Sequence, residues 1–121
     1  MAGVKTFRDL VAWQRGMALA RAVYQATGGM PDGERFGLTN QMRRAAVSIP
    51  SNIAEGYGRE SRPDLVKFLR IARGSLNELA TQHELATSLG MIEPEGEVPE
   101  LIEETDRVLQ ALIRSLIPPK T

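Results

Sequence analysis

Residues 61–90 read SRPDLVKFLRIARGSLNELATQHELATSLG. Leu65, Leu69, Ala72, Leu76, Leu79, His83 and Ala86 alternate spacings of four and three without a slip. That is a heptad seam, the pattern of a helix that packs along an antiparallel neighbour at about 20°. Ser61 is placed to cap it, Pro63 suits its first turn, and Asp64 favours the positive end of the helix dipole. Gly90 is a natural stop after Leu89. Gly74, inside the helix, costs roughly 1 kcal/mol against alanine. It is best tolerated where a neighbouring helix presses close, and close packing is expected there.

Three more helices follow from the same kind of reading. The first is expected from about Arg8 to Thr27, with Leu10, Trp13, Met17, Ala20 and Tyr24 on one face. Gly28-Gly29, Met30-Pro31 and Asp32-Gly33 then read as a loop. The second starts near Leu38 or Thr39 and carries Leu38, Met42, Ala45, Ala46, Ile49 and Ile53. Pro50 lies inside it, so a kink or break is expected near Ser48 and Ile49. Gly56 and Gly58 end the segment. The fourth begins around Pro99 and ends before Pro118-Pro119, with Leu101, Thr105, Val108, Leu109, Leu112 and Leu116 as its stripe. Nothing alternates with period two over a useful length, so no sheet is expected. Four amphipathic helices with short links imply an all-α, antiparallel, up-down-up-down four-helix bundle. The 121 residues fit one domain, 1–121, large enough to bury about two-thirds of its unfolded surface.

Some apolar residues are left over. Val11, Ala18 and Ala22 lie opposite the Leu10–Tyr24 face, Val47 leaves the stripe of the second helix, and Val66 and Ile71 flank the seam. A helix apolar on two sides is buried on two sides. A second interface is therefore expected, most simply with copies of the same chain in a closed homo-oligomer.

The net charge is zero, but it is unevenly spread. Through Ser75 there are 12 basic and 6 acidic residues; from Leu76 there are 3 and 9. Such asymmetry marks either a polyanion-binding face or two surfaces that attract one another. The basic set is Arg43, Arg44, Arg59, Arg62, Lys67, Arg70 and Arg73. Arginine forks suit phosphate, and the turn between the second and third helices joins these residues at one end of the bundle. Tyr57 is the one aromatic candidate for stacking, so backbone binding to RNA or DNA is favoured over base readout. The competing arrangement pairs these cations with Glu100, Glu103, Glu104 and Asp106 of the fourth helix.

Catalytic and metal chemistry is poorly provided for. Cysteine is absent, so there is no disulfide framework and no thiolate site. A di-iron bundle needs two Glu-x-x-His motifs, and His83 is the only histidine. It is read as a seam residue hydrogen-bonded in the core or at an interface. No cofactor, no metal and no enzymatic activity are expected. Ser51, Asn52 and Glu55 are read as a structural knot around Pro50, with Arg43, Arg44 or Arg59 as partners. Met1 to Leu10 has no apolar signal core and no run approaches the ~20 residues of a membrane helix, so a cytoplasmic location is expected.

Residues 36–56, FGLTNQMRRAAVSIPSNIAEG, with residues 68–90, FLRIARGSLNELATQHELATSLG, and the opening FRDLVAWQ of residues 7–14, resemble one known family. It is the four-helix bundle family named for proteins encoded in intervening sequences of bacterial 23S ribosomal RNA genes. The resemblance covers nearly the whole chain, with SIPSNIAEG its most specific run. It implies an antiparallel bundle assembled as a homopentameric barrel. It also implies kinship with the accessory variability proteins of diversity-generating retroelements, which bind nucleic acid and a reverse transcriptase through a basic surface. Where the family pattern has an aliphatic residue after Thr-Gln, this chain has His83.

Overall fold

The computed structural model describes residues 1–119. Its four α-helices are α1 (Val11–Thr27), α2 (Leu38–Gly58), α3 (Arg62–Ser88) and α4 (Glu97–Leu116), with short 3₁₀ turns at Phe7–Asp9 and Asp32–Glu34. No strand occurs among the described residues. α1 packs on α2 and α4, and α3 on α2 and α4; the two diagonal pairs do not meet closely. The helices therefore surround one core as a four-membered ring.

α3 follows its sequence closely. All seven seam residues are buried. Ser61 Oγ accepts from the Asp64 N–H at 3.4 Å. At the other end Gly90 takes a positive φ of 71°. Gly90 N donates to Thr87 O at 3.0 Å and Met91 N to Ala86 O at 2.9 Å, the two bonds of a Schellman stop.

α2 runs unbroken through Pro50, so of the expected kink or break there is no break. Ser48 Oγ donates to Ala45 O and Asn52 Nδ2 to Ser48 O, both at 2.7 Å, so side chains on either side of the ring bond carbonyls of the turn that precedes it. Ser51 makes no such bond, whereas Glu55 pairs with Arg59, one of its expected partners. Pro50 itself is buried against α1. A Cβ built on Gly16 would lie 3.4 Å from Pro50 Cβ and Cδ and from Ile49 Cγ2.

That contact explains why α1 departs from its reading. Thr6 and Asp9 close a capping box around the Phe7–Asp9 turn, with Asp9 accepting from the Lys5 and Thr6 N–H groups. Leu10 is then extended, and α1 begins at Val11 rather than Arg8. Its core face is Ala12, Gly16, Leu19 and Val23, with Ala22 beside them. The expected stripe is displaced by one residue, about 100° of helix rotation. Trp13, Met17 and Ala20 are only half-buried, and Tyr24 is 47% exposed. The second apolar side of α1 is thus this Trp13–Tyr24 face; Ala22, expected outside, is in the core.

Two glycine readings also change. Gly74 is exposed, and a Cβ there would meet nothing within 4 Å, so no helix presses on it. The close approach is at Gly56, where a Cβ would stand 2.6 Å from Phe68 Cβ and 3.3 Å from Leu65 Cδ1. α4 starts two residues earlier than expected and buries Val98, Thr105, Leu109, Ile113 and Leu116.

His83 is buried on the seam and makes no hydrogen bond within the subunit among the described residues, so of the two expected placements of its partner, core or interface, the core holds none. It lines a small groove with Ala22, Val98, Glu93, Glu95 and Glu97. Burial pushes its pKa below the ordinary 6.5, and the neighbouring Glu84 carboxylate opposes this more weakly.

Two predictions follow from these contacts. Gly56→Ala lowers stability by about 1–3 kcal/mol through overpacking, whereas Gly74→Ala raises it by roughly 0.5–1 kcal/mol through helix propensity; urea midpoints of the two variants check both signs. For His83, the unfolded chain binds a proton more readily than the folded one. Its share of stability is complete above about pH 6.5 and is lost as pH falls below it. His83→Leu removes that part of the acid-side slope, leaving the part due to the carboxylates. Urea midpoints of wild type and variant between about pH 5 and about pH 7.5 measure the difference.

Candidate nucleic-acid interface

The seven basic residues divide into two groups. Three are engaged within the bundle. Arg43 Nε donates to Thr27 Oγ1 at 2.9 Å, its Nη2 to Tyr24 O at 3.3 Å, and its guanidinium lies 4.6 Å from the Tyr24 ring centroid. It therefore closes the C-terminal end of α1, where carbonyls lack helical partners. Arg59 pairs with Glu55 at 3.0 Å and lies 5.0 Å from the Phe68 ring centroid. Arg73 Nε pairs with Asp106 Oδ1 at 2.8 Å, and Gln110 Nε2 donates to the other Asp106 oxygen at 2.6 Å. The remaining four, Arg44, Arg62, Lys67 and Arg70, are exposed and form no ion pair among the described residues.

The acidic residues of α4 are likewise divided. Asp106 holds Arg73, and Glu104 pairs with Arg15 of α1. Glu100 and Glu103 are exposed and form no ion pair among the described residues. Pairing between the two halves of the chain thus accounts for one of the seven cations, Arg73.

Position also separates them. Arg44, on α2, precedes Arg59, the residue just past its end, by 15 positions, about 22 Å along the axis, and it lines a surface with Tyr24, Asn40 and Val47. It does not join the others. On α3, Lys67, Arg70, Gly74 and Asn77 recur at spacings of three and four, so they share a stripe away from the seam. Arg70, Arg73, Gly74 and Asn77 form one wall of an open groove of about 410 Å³ between α3 and α4. The opposite wall holds Gln110, Ile113 and Arg114. The absence of a side chain at Gly74 opens its floor. Nearer the start of α3, Arg62 lines a second depression with Tyr57 and Lys5. Tyr57 is half-buried there.

The site therefore gains Arg114, Gln110, Asn77 and Lys5, which the sequence reading did not single out. Arg114 and Gln110 lie four apart on α4, a spacing that puts them on one face. Only the packing of α4 on α3 brings that face to Arg70. Three guanidinium groups with two amide side chains present donors to an anion, beside the apolar side chain of Ile113. Among the described residues no group of three His, Cys, Asp or Glu is placed to hold a metal ion, and no helix is long and apolar enough to cross a membrane.

No curated protein matches the chain. A 1.70 Å crystal structure of a protein of unknown function from the S23 ribosomal protein family of Bacteroides thetaiotaomicron is similar in fold. The TM-score is 0.64, the identity 23%, and the match covers 88% of this chain and 95% of that one. The family described as 23S rRNA-intervening sequence protein matches residues 8–114, nearly the full length of the described helices, and the chain belongs to that family.

Proposed function

We propose that this protein is a non-enzymatic, cytoplasmic, homo-oligomeric bundle that binds the sugar–phosphate backbone of nucleic acid, RNA foremost, through the face formed by α3 and α4. The carrying observation is the groove in which Arg70, Arg73 and Arg114 stand around the bare backbone of Gly74. Lys67 extends the same stripe by one turn, and Arg62 with Tyr57 and Lys5 extends it beyond the start of α3. Arg73 engages Asp106 through Nε, so its terminal nitrogens remain available for a phosphate oxygen. A family named for the 23S rRNA intervening sequence makes a structured RNA the first probe.

The finer architecture belongs to the same reading. The link between α2 and α3 is three residues, 59–61, which suits an antiparallel, up-down-up-down arrangement. The half-exposed apolar face of α1 suits assembly into a cyclic homo-oligomer, a pentamer by resemblance. That same face favours a second reading, a protein-interaction scaffold with no nucleic-acid role that docks a polymerase such as a reverse transcriptase.

Fluorescence anisotropy tests the proposal with a structured RNA, a single-stranded RNA and a DNA duplex. Affinities should be similar across unrelated sequences. For three phosphate contacts they should fall about 20- to 40-fold between about 50 mM and about 200 mM salt. Arg70→Gln or Arg114→Gln should lower affinity for every probe and reduce the salt slope by about one unit. Arg43→Gln should instead lower the melting temperature through α1 and leave the slope unchanged. No binding to any probe at low salt would overturn the nucleic-acid reading in favour of the scaffold.

A further inference from the structure

Two features of the surface have no role in the subunit itself. One is an apolar groove of about 640 Å³ between α1 and α2, lined mainly by Trp13, Met17, Ala20, Tyr24, Val47 and Pro50. The other is Phe36, which is 84% exposed, more than any other large apolar side chain described. Phe36 is held on a structured loop. Gly37 N donates to Glu34 O at 2.9 Å, and the Glu34 carboxylate accepts from the Leu38 N–H at 3.0 Å. The Arg35 guanidinium lies 4.9 Å from the ring centroid. The ring is thus presented as a fixed knob rather than on a loose strand, and little ordering entropy is left to lose when it docks.

We propose that Phe36 of one copy inserts into the α1–α2 groove of the next copy, making a head-to-tail contact between two different surfaces of the same chain. This rests on the reading of the protein as a homo-oligomer and names the surfaces that meet. Three observations favour a second copy as the occupant. Knob and groove are both apolar, and leaving both in water forfeits the burial of an aromatic ring and its pocket. Their polar edges are complementary: the groove is rimmed by Arg21, and the loop before Phe36 carries Asp32 and Glu34 against the single cation Arg35, a net negative charge. Arg21 and Asp32 are both exposed and neither forms an ion pair among the described residues. The groove is also wider than one ring, so the flanking loop enters with it, and exposed Val11 and Val47 add apolar area at its edges. Made in one direction only, such a contact closes as a ring or continues as a filament; made reciprocally across a twofold axis, it gives a dimer.

The absence of cysteine makes the test direct. Light scattering first gives the mass of the wild type as a multiple of 13.3 kDa. Phe36→Cys and Val47→Cys chains are then mixed, allowed to exchange subunits, and treated with a short bis-maleimide, which tolerates distances that a disulfide does not. A covalent dimer in that mixture, absent from a Phe36→Cys plus Glu103→Cys mixture, is expected. Phe36→Ser, at a residue exposed in the subunit, should keep its helical circular dichroism and lose at least tenfold in assembly affinity. Arg21→Asp and Asp32→Arg should each weaken assembly, and the double variant should restore it. A wild-type oligomer that shows no such cross-link and is indifferent to Phe36→Ser overturns this contact while leaving oligomerisation standing. A wild-type monomer overturns both and leaves the groove to a foreign helix.

Discussion

Gly56 and Gly16 set how closely α2 approaches its two neighbours. At Gly56 the backbone of α2 comes so near Phe68 that even a methyl group would overlap it. At Gly16 the Pro50 ring rests against the backbone of α1. α2 is thereby clamped between α1 and α3, with Met42, Ala46, Ile49 and Ile53 wholly buried. Dispersion contacts fall off steeply with distance, so a helix held this close gains along its whole length. A proline that costs a backbone bond is tolerated in α2 because its ring fills the space that the glycine leaves. The turn into α3 and the orientation of α1 both follow from that clamp.

The legibility of the chain follows from the same chemistry. The α3 seam was readable because every seam position except His83 is an aliphatic residue in strict heptad spacing. The core stripe of α1 lies one residue from the expected one because it contains a glycine and two small alanines, whereas the stripe beside it contains Trp13 and Met17. Volume drew the assignment to the wrong face. Whether glycine is bare for want of a neighbour or because of one is set by the partner helix, which is why Gly74 and Gly56 exchanged roles. His83 is similar: its burial followed from the period, but its lack of a hydrogen-bond partner depends on what α1 and the α3–α4 loop bring to it.

For the basic face, residue types were legible and their partition was not. Arg43, Arg59 and Arg73 look the same in sequence as Arg62, Lys67 and Arg70. What separates them is the location of one acceptor or ring each: Thr27 for Arg43, Glu55 and Phe68 for Arg59, Asp106 for Arg73. Only the Glu55–Arg59 pair, four apart on one helix, is foreseeable from spacing. These pairs are partly exposed, and such pairs contribute about 0–1 kcal/mol each. They therefore hold the side chains in place more than they hold the fold together. Arg73 shows the effect, since Asp106 fixes its guanidinium at the wall of the groove that it shares with Arg70 and Arg114.

The two unexplained surfaces are compatible because of where they lie. In a ring of four helices, the α1–α2 groove and the α3–α4 groove are on opposite sides. Copies that met through the apolar groove would leave the basic groove uncovered in every subunit. A single groove with three or four phosphate contacts binds weakly and loses much of its affinity at physiological salt. Repeated around a closed assembly, the same groove meets a long polyanion many times, and each contact after the first forms at high effective concentration. Neutral net charge is no obstacle to this, since what a phosphate backbone meets is the local field of one face. The acidic residues of α4 that would weaken that field are in part already occupied, Asp106 by Arg73 and Glu104 by Arg15. Weak, sequence-independent grooves become useful to such a protein only through repetition, so the apolar face of α1 bears on the proposed function as directly as the arginines do.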